Sequence, residues 1–252
     1  MSASILITGA SSGLGAALAE IYAGPGVTLF LGGRNRERLD SVAVLCRARG
    51  AEVRMAAIDV TDRAATEAWV LACDSERPLT LAIANAGISG GTGTKIGETA
   101  DQTRAIFSAN LEGVMNTVLP IIPAMQARKS GQLALMSSLA SFFGGPSAPA
   151  YCASKAAVRI WGEGLRGWLQ ADGIGVTVLC PGFVETAMTA KNNFPMPFLM
   201  GSAQAAAIMK KGLDANKGRV AFPWQTTAIV RTLAALPPSW IAPLLNRAPK
   251  KN

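Results

Sequence analysis

Histidine is absent from this 252-residue chain. That one absence excludes Ser-His-Asp and Cys-His nucleophilic triads and every imidazole-based metal site. Cysteine is scarce: Cys46, Cys73, Cys152 and Cys180 lie far apart and form no CxxC pair. Neither a zinc cluster nor a disulfide framework is expected, and the four read as reduced, mostly buried thiols. Charged residues make up only 16% of the chain while half is apolar, which predicts extensive burial within and between subunits. No uninterrupted apolar run reaches the roughly 18 residues that cross a bilayer. Met1-Ser2-Ala3 leads straight into the apolar Ser4–Thr8, with no basic segment or cleavage site. A soluble, cytoplasmic protein is the expectation. The formal net charge is +8, but the basic residues are scattered with no run longer than two. A polyanionic cofactor and solubility account for that charge more simply than nucleic acid does, and no nucleic-acid partner is expected.

What is present is a regular alternation. Short apolar runs at Ser4–Thr8, Val27–Leu31, Val53–Ile58, Leu79–Ala84, Leu133–Ser137, Val176–Cys180 and Arg219–Phe222 read as strands. Stretches of helical period lie between them, near Gly13–Ala23, Arg36–Arg49, Arg63–Asp74, Asp101–Arg128, Ala150–Asp172 and Ala203–Leu213. Continuous apolar strands alternating with helices predict an α/β fold with a parallel sheet covered on both faces. Right-handed crossovers make it doubly wound. The length suits one domain spanning residues 1–252. Ser89–Thr94 is glycine-rich, and Ala187–Ser202 carries Pro195, Pro197 and large apolar residues. Both follow strand C-terminal ends, the edge at which such sheets bind ligands.

Thr8-Gly9-Ala10-Ser11-Ser12-Gly13-Leu14-Gly15 joins the first strand to the first helix. Glycines there let the backbone approach a pyrophosphate, and the helix N-terminus supplies open N–H groups. Taken with Asp59-Val60, Asn85-Ala86-Gly87, Asn110, Ser138, Tyr151-Cys152-Ala153-Ser154-Lys155 and Pro181-Gly182 with Thr186, the chain resembles the short-chain dehydrogenase/reductase family over about residues 4 to 190. The resemblance implies a Rossmann-like sheet of seven strands in the order 3-2-1-4-5-6-7. It also implies that Gly9, Ser11, Ser12, Gly13, Leu14 and Gly15 cradle a dinucleotide. Asp59 would bond the adenine amino group with Val60 beside the ring, and Asn85, Ala86 and Gly87 would shape the adenosine-ribose side. Pro181, Gly182, Val184 and Thr186 would stand at the nicotinamide.

Cofactor choice should lie at the end of the second strand, where an NAD enzyme carries a carboxylate for the ribose hydroxyls. Here Gly33 stands in that place, followed by Arg34, Asn35 and, one turn on, Arg38. A guanidinium forks onto a 2′-phosphate, so NADP(H) is expected over NAD(H). Tyr151 and Lys155 are spaced i, i+4 on one helix face. A nearby ammonium favours ionisation of a phenol that ordinarily titrates near pH 10. The family pattern implies that Lys155 also bonds the nicotinamide ribose. It further implies that Ser138 polarises a substrate carbonyl and that Asn110 bends its helix and holds a water that relays protons to the lysine. Ser137 is the alternative serine, one residue out of phase.

The expected reaction is hydride transfer between nicotinamide and a carbonyl or secondary alcohol, with Tyr151 as general acid/base. A catalytically quiet dinucleotide-binding regulator is the alternative, and a sugar-nucleotide epimerase lacks support because that branch carries a TGxxGxxG turn. A lid over residues 187–213, with Phe194, Met196, Phe198, Leu199 and Met200 in it, favours a hydrophobic or bulky substrate. Gly162, Gly164 and Gly167 with Trp161 or Trp168 are expected at a homodimer or homotetramer interface. The apolar segment 223–252, with Trp224, Trp240, Ile241, Leu244, Leu245, Arg247, Lys250 and Lys251, reads as a flap over the cleft or against a subunit. Peripheral membrane contact is the lesser reading.

Overall fold

In the computed structural model the described residues are 3–93, 97–190, 192, 194–237 and 239–240. Seven strands, β1 (Ala3–Thr8), β2 (Val27–Gly33), β3 (Glu52–Ala57), β4 (Leu81–Ala84), β5 (Gly131–Met136), β6 (Ile174–Pro181) and β7 (Arg219–Phe222), form one parallel sheet ordered β3-β2-β1-β4-β5-β6-β7. The alternation along each strand divides the core between two faces. Ile5, Ile7, Leu29, Leu31 and Ile83 meet helices α1 (Gly13–Tyr22), α2 (Arg36–Ala48) and α8 (Ser202–Asp214). Leu6, Phe30, Ala82, Leu133 and Leu135 meet the other layer: α3 (Arg63–Glu76), α5 (Gly113–Val118), α6 (Ile122–Arg128) and α7 (Pro149–Leu169). Each such side chain, taken from water, contributes about 1.5–3 kcal/mol. Because β1 lies beside both β2 and β4, the chain reverses direction across the sheet there, and a crevice opens at the strands' C-terminal ends.

The helix starts are specified locally. Asn35 Oδ1 accepts from Arg38 N at 2.8 Å, Asp62 Oδ1 from Ala65 N at 3.0 Å, and Thr99 Oγ1 from Gln102 N at 3.2 Å. Each satisfies a backbone donor that the helix itself leaves open.

Three expectations need correction. The helix expected over Asp101–Arg128 is broken into α4 (Ala100–Phe107), a π-turn over Ser108–Glu112, α5, a 3₁₀ turn over Leu119–Ile121, and α6. Pro120 and Pro123 remove donors from the ladder in its second half. This run, Ala100–Arg128, is long and apolar enough to span a bilayer, but half of its apolar window is buried in the fold. The lid expected over 187–213 ends earlier, because α8 is a core helix: Ala205, Ala206, Met209 and Leu213 are buried in the α1 layer.

Gly162 and Trp161 do not share a surface with Gly164, Gly167 and Trp168. Trp161 packs on the second core, whereas Trp168 is 61% exposed and nothing stands near the other two glycines. The segment from residue 223 begins with α9 (Trp224–Ala235), of which only Val230 is buried. Trp224 and Trp240 are exposed, and Ile241, Leu244, Leu245, Arg247, Lys250 and Lys251 lie outside the described residues.

Gly162 is small because β6 and β5 pass close by: a Cβ there would stand 2.7 Å from Val178 Cγ2 and 3.2 Å from Leu135 Cδ2. Alanine would gain up to about 1 kcal/mol of helix propensity, but overpacking costs roughly 1–3 kcal/mol. Gly162→Ala should therefore lower the urea midpoint; an unchanged or raised midpoint would show that α7 does not press on the sheet this closely.

Candidate active site

The crevice at the strand ends is a cleft of about 650 Å³. One wall starts at the β1–α1 turn, where Gly9 and Gly13 hold φ of +67° and +55°, a conformation that costs other residues strain. A Cβ on Gly9 would fall 2.8 Å from Ala86 Cα, so the turn and the end of β4 touch through bare backbone. Asn85 locks that contact: its Nδ2 donates to Thr8 O at 2.9 Å, and Thr8 Oγ1 accepts from Asn85 N at 3.1 Å and Ala86 N at 3.3 Å. Ser12, at the N-cap of α1, makes no side-chain cap. The first N–H groups of that helix are thus left for an anion.

Gly9, Ser11, Ser12, Gly13 and Leu14 line the cleft, as do Arg34, Asn35 and Arg38. Gly15 does not: it packs behind the turn against Gly9 and Asn85. Asn35 spends its side-chain oxygen on capping α2. Arg34 leans on Asp59 at 3.9 Å, with both side chains largely exposed. Such a pair contributes little, so the guanidinium is available to a ligand. The Asp59 carboxyl is held below its ordinary range, first by the Thr61 N–H and then by the Thr61 hydroxyl and Arg34. Asp59 stays an acceptor as a result. Val60 is fixed from behind by Gly113, where a Cβ would sit 2.6 Å away, and by Asn116 Nδ2 on its carbonyl at 2.9 Å.

Ser138, Tyr151 and Lys155 line the other end of the cleft with Pro181, Gly182, Val184 and Thr186. The Ser138 hydroxyl bonds the Tyr151 phenol. It also accepts from Ala140 N at 3.1 Å and so starts the 3₁₀ turn Leu139–Phe142. Ser137 turns the other way, donating to Lys155 O at 2.8 Å. Lys155 is 4% exposed, with Nζ donating to Met136 O at 2.9 Å and lying 5.9 Å from the Tyr151 ring centroid. Burial raises the phenol above its ordinary value and lowers the lysine to about 8. The protein without a ligand therefore opposes charge on both groups.

Asn110 does not line the cleft. It is completely buried in the π-turn, with Oδ1 accepting from Ile88 N at 2.8 Å and Nδ2 donating to Ile88 O and Ser154 Oγ, each at 3.0 Å. It is a positioning residue that ties the end of β4 to α7. A Cβ on Gly87 would meet both Asn110 Oδ1, at 2.8 Å, and Lys155 Nζ, at 3.3 Å. Only glycine fits between them.

Three contributors were not singled out from sequence. Glu98 Oε2 accepts from Ala150 N at 3.0 Å, serving the start of α7 where Ala148 offers no side-chain cap. Thr189 exchanges hydrogen bonds with Thr186 at 3.0 and 3.3 Å and donates to Val184 O at 2.6 Å, folding the segment after β6 back on itself. Thr8, although inside the glycine turn, acts through Asn85. A threonine three residues beyond Thr186 was the only sequence signal for Thr189. Among the described residues no group of three His, Cys, Asp or Glu could hold a metal, and the four cysteines are buried and form no disulfide.

Residues 3–196 match the short chain dehydrogenase family model. An uncharacterized oxidoreductase of Myxococcus xanthus is 41% identical over 233 residues, covering 92% of each chain. The chain belongs to the short chain dehydrogenase family. A short-chain dehydrogenase from Sphingobium yanoikuyae, in complex with NADPH, superposes with a TM-score of 0.82 at 25% identity, covering 99% of this chain and 98% of that one. One from Mycobacterium paratuberculosis, bound to NAD, gives 0.77 at 21% identity over 87% and 94%. As a short chain dehydrogenase, the protein is an oxidoreductase acting on CH–OH or C=O groups with a nicotinamide cofactor.

The lysine shift has a sign that can be checked. Between pH 8 and about 10.4 the unfolded chain holds the Lys155 proton and the folded chain releases it, so this group makes stability rise with pH. The buried thiols of Cys46, Cys73 and Cys180, pushed up to about 11, 12 and 11, act oppositely above about pH 8.5. The test is therefore a difference. The stability of the ligand-free wild type minus that of Lys155→Met should rise between pH 8 and 10, and a flat difference would contradict the lysine's depressed affinity for its proton.

Proposed function

We propose that this short chain dehydrogenase is an NADP(H)-dependent reductase or dehydrogenase of a hydrophobic or bulky carbonyl/secondary alcohol, with Tyr151 as its general acid/base. The observation that carries the reading is the cleft itself. It joins Gly33, Arg34 and Arg38 at one end to Ser138, Tyr151 and Lys155 at the other. Its volume falls in the range of small-molecule sites, and its glycine turn and uncapped α1 fit a pyrophosphate. The NADPH of the Sphingobium protein agrees with that fit.

When bound, the cofactor supplies or accepts the hydride. The chain's own residues do the rest. Gly9, Ser11, Ser12, Gly13 and Leu14 would hold the pyrophosphate, Asp59 and Val60 the adenine, Asn85 to Gly87 the adenosine ribose, and Val184 and Thr186 the carboxamide. Arg34, assisted by Arg38, takes the 2′-phosphate. A Cβ at Gly33 would sit 3.2 Å from Ser11 Oγ, and no carboxylate stands at that position to repel the phosphate. Ser138 donates to the substrate oxygen and polarises the carbonyl. Tyr151 gives that oxygen its proton, or removes it in the alcohol direction. Lys155, in its protonated form, draws the phenol's pKa downward. Asn110 holds Ser154 and Ile88 so that α7 and the end of β4 keep their spacing.

Substrate breadth follows from the segment 187–201. Met188 lines the cleft, Phe198 and Leu199 are exposed further along the same segment, Phe194 stands edge-on to Phe183 at 6.1 Å, and the pairing of Val184 with Met200 closes the base of the loop. The partly open face of α7 carrying Ile160, Gly164, Gly167 and Trp168 is the surface through which the reading places a homo-oligomer.

Across a panel of aliphatic and aromatic ketones, kcat/KM with NADPH should exceed that with NADH by at least about tenfold, the worth of one charge-assisted hydrogen bond. Arg34→Ala should remove most of that margin by lowering the NADPH value alone. A tenfold preference for NADH would overturn the cofactor assignment.

A further inference from the structure

Three arginines from three different elements converge on one aromatic ring away from the cleft. The guanidinium carbons of Arg159 on α7, Arg219 on β7 and Arg231 on α9 lie 4.8, 5.4 and 5.9 Å from the centroid of Phe142. None of these four residues lines the cleft. Ring faces attract cations, but three like charges crowded on one ring also repel. Among the described residues a single carboxylate answers them: Glu163 Oε1 accepts from Arg219 Nη1 at 2.8 Å and from Arg159 Nη1 at 3.5 Å. Arg231, exposed on α9, pairs with no described carboxylate. The cluster keeps two positive charges in excess.

Two donors beside it are buried and unused. Arg159 Nε has no hydrogen-bond partner, and neither has the hydroxyl of Ser141, a residue 3% exposed. They are neighbours, because Arg159 Nη2 donates to Ser141 O at 3.4 Å. A native fold seldom leaves buried polar groups unpaired unless something supplies the partner. Charge excess and idle donors thus mark the same place.

We infer that this cluster, bounded by Phe142, Arg159, Arg219, Arg231 and Ser141, binds a phosphate group at a site separate from the dinucleotide cleft. A phosphate carries roughly −1.5 to −2 charge at neutral pH and three acceptor oxygens. Its charge matches the excess, and three oxygens serve the two idle donors with one to spare for the flanking guanidinium groups, whereas a lone carboxylate would leave one positive charge unanswered. The forks of Arg219 and Arg231 suit its oxygens, and Glu163 orients two of the arginines without occupying the third.

The test uses the full chain with saturating NADPH, so that the cleft is filled, and titrates inorganic phosphate against sodium chloride of equal ionic strength. Thermal unfolding should show a saturable rise with phosphate and none with chloride. Arg231→Gln, at an exposed position, should weaken the phosphate response about tenfold while turnover is unchanged. Ser141→Ala should weaken it severalfold with no loss of stability in phosphate-free buffer, since the hydroxyl has no partner to lose. Phenyl phosphate in place of inorganic phosphate separates the sources: tighter binding points to a phosphorylated metabolite, and equal or weaker binding to the free ion. A response absent in wild type, equal in Arg231→Gln, or abolished by Arg34→Ala would overturn the assignment, the last by placing the phosphate in the cleft.

Discussion

A buried ammonium whose described hydrogen bond goes to a main-chain carbonyl governs the rest of this site. Lys155 lines the cleft and donates to Met136 O. Burial takes the ammonium out of water, so its proton is held loosely, at about 8. Burial meanwhile holds the Tyr151 proton tightly. Two groups with opposite charge preferences in one desolvated place are poised rather than settled. In the proposed reaction an oxidised nicotinamide, when bound, would add positive charge near this pair, and the protonated Lys155 would then draw the Tyr151 phenol toward giving up its proton.

Holding that poise needs rigid backbone on three sides. Met136 closes β5, whose register with β4 and β6 is fixed along most of its length. The start of α7 is held by Glu98 from the loop beyond β4, and Asn110 joins the same loop region to Ser154 one turn into α7. The π-turn serves this purpose: one extra residue in the helical ladder lets the Asn110 amide turn inward to Ile88. The turn at Ser138 then brings a hydroxyl to the phenol from the opposite side. The site is therefore built from element ends, where backbone groups are open, on a sheet whose interior is closed.

Much of this was legible in the sequence because the physics is local. Runs such as Ile5-Leu6-Ile7 and Leu29-Phe30-Leu31 fit a strand buried on both faces and little else. The glycine turn and the i, i+4 spacing of Tyr151 and Lys155 carry their geometry with them. What escaped depends on contacts distant in sequence. Nothing near Glu98 announces that it serves a helix start 52 residues on. Asn110 read as a member of the reaction centre, but its complete burial off the cleft surface, in a π-turn bonded to Ile88, was not legible. The helical period of Ala203–Leu213 was visible, yet only packing on α1 shows that it belongs to the core and not to the lid. Gly162 and Gly164 look alike in sequence; β6 passes beside one and not the other.

The central claim is that Tyr151 carries the proton in a cleft that binds NADP(H) through other residues. Replacing the phenol by phenyl isolates it. For Tyr151→Phe the account predicts that NADPH binds with nearly wild-type Kd by fluorescence titration, while kcat for ketone reduction falls by at least about a hundredfold. Turnover within a few-fold of wild type, at unchanged NADPH affinity, would contradict it.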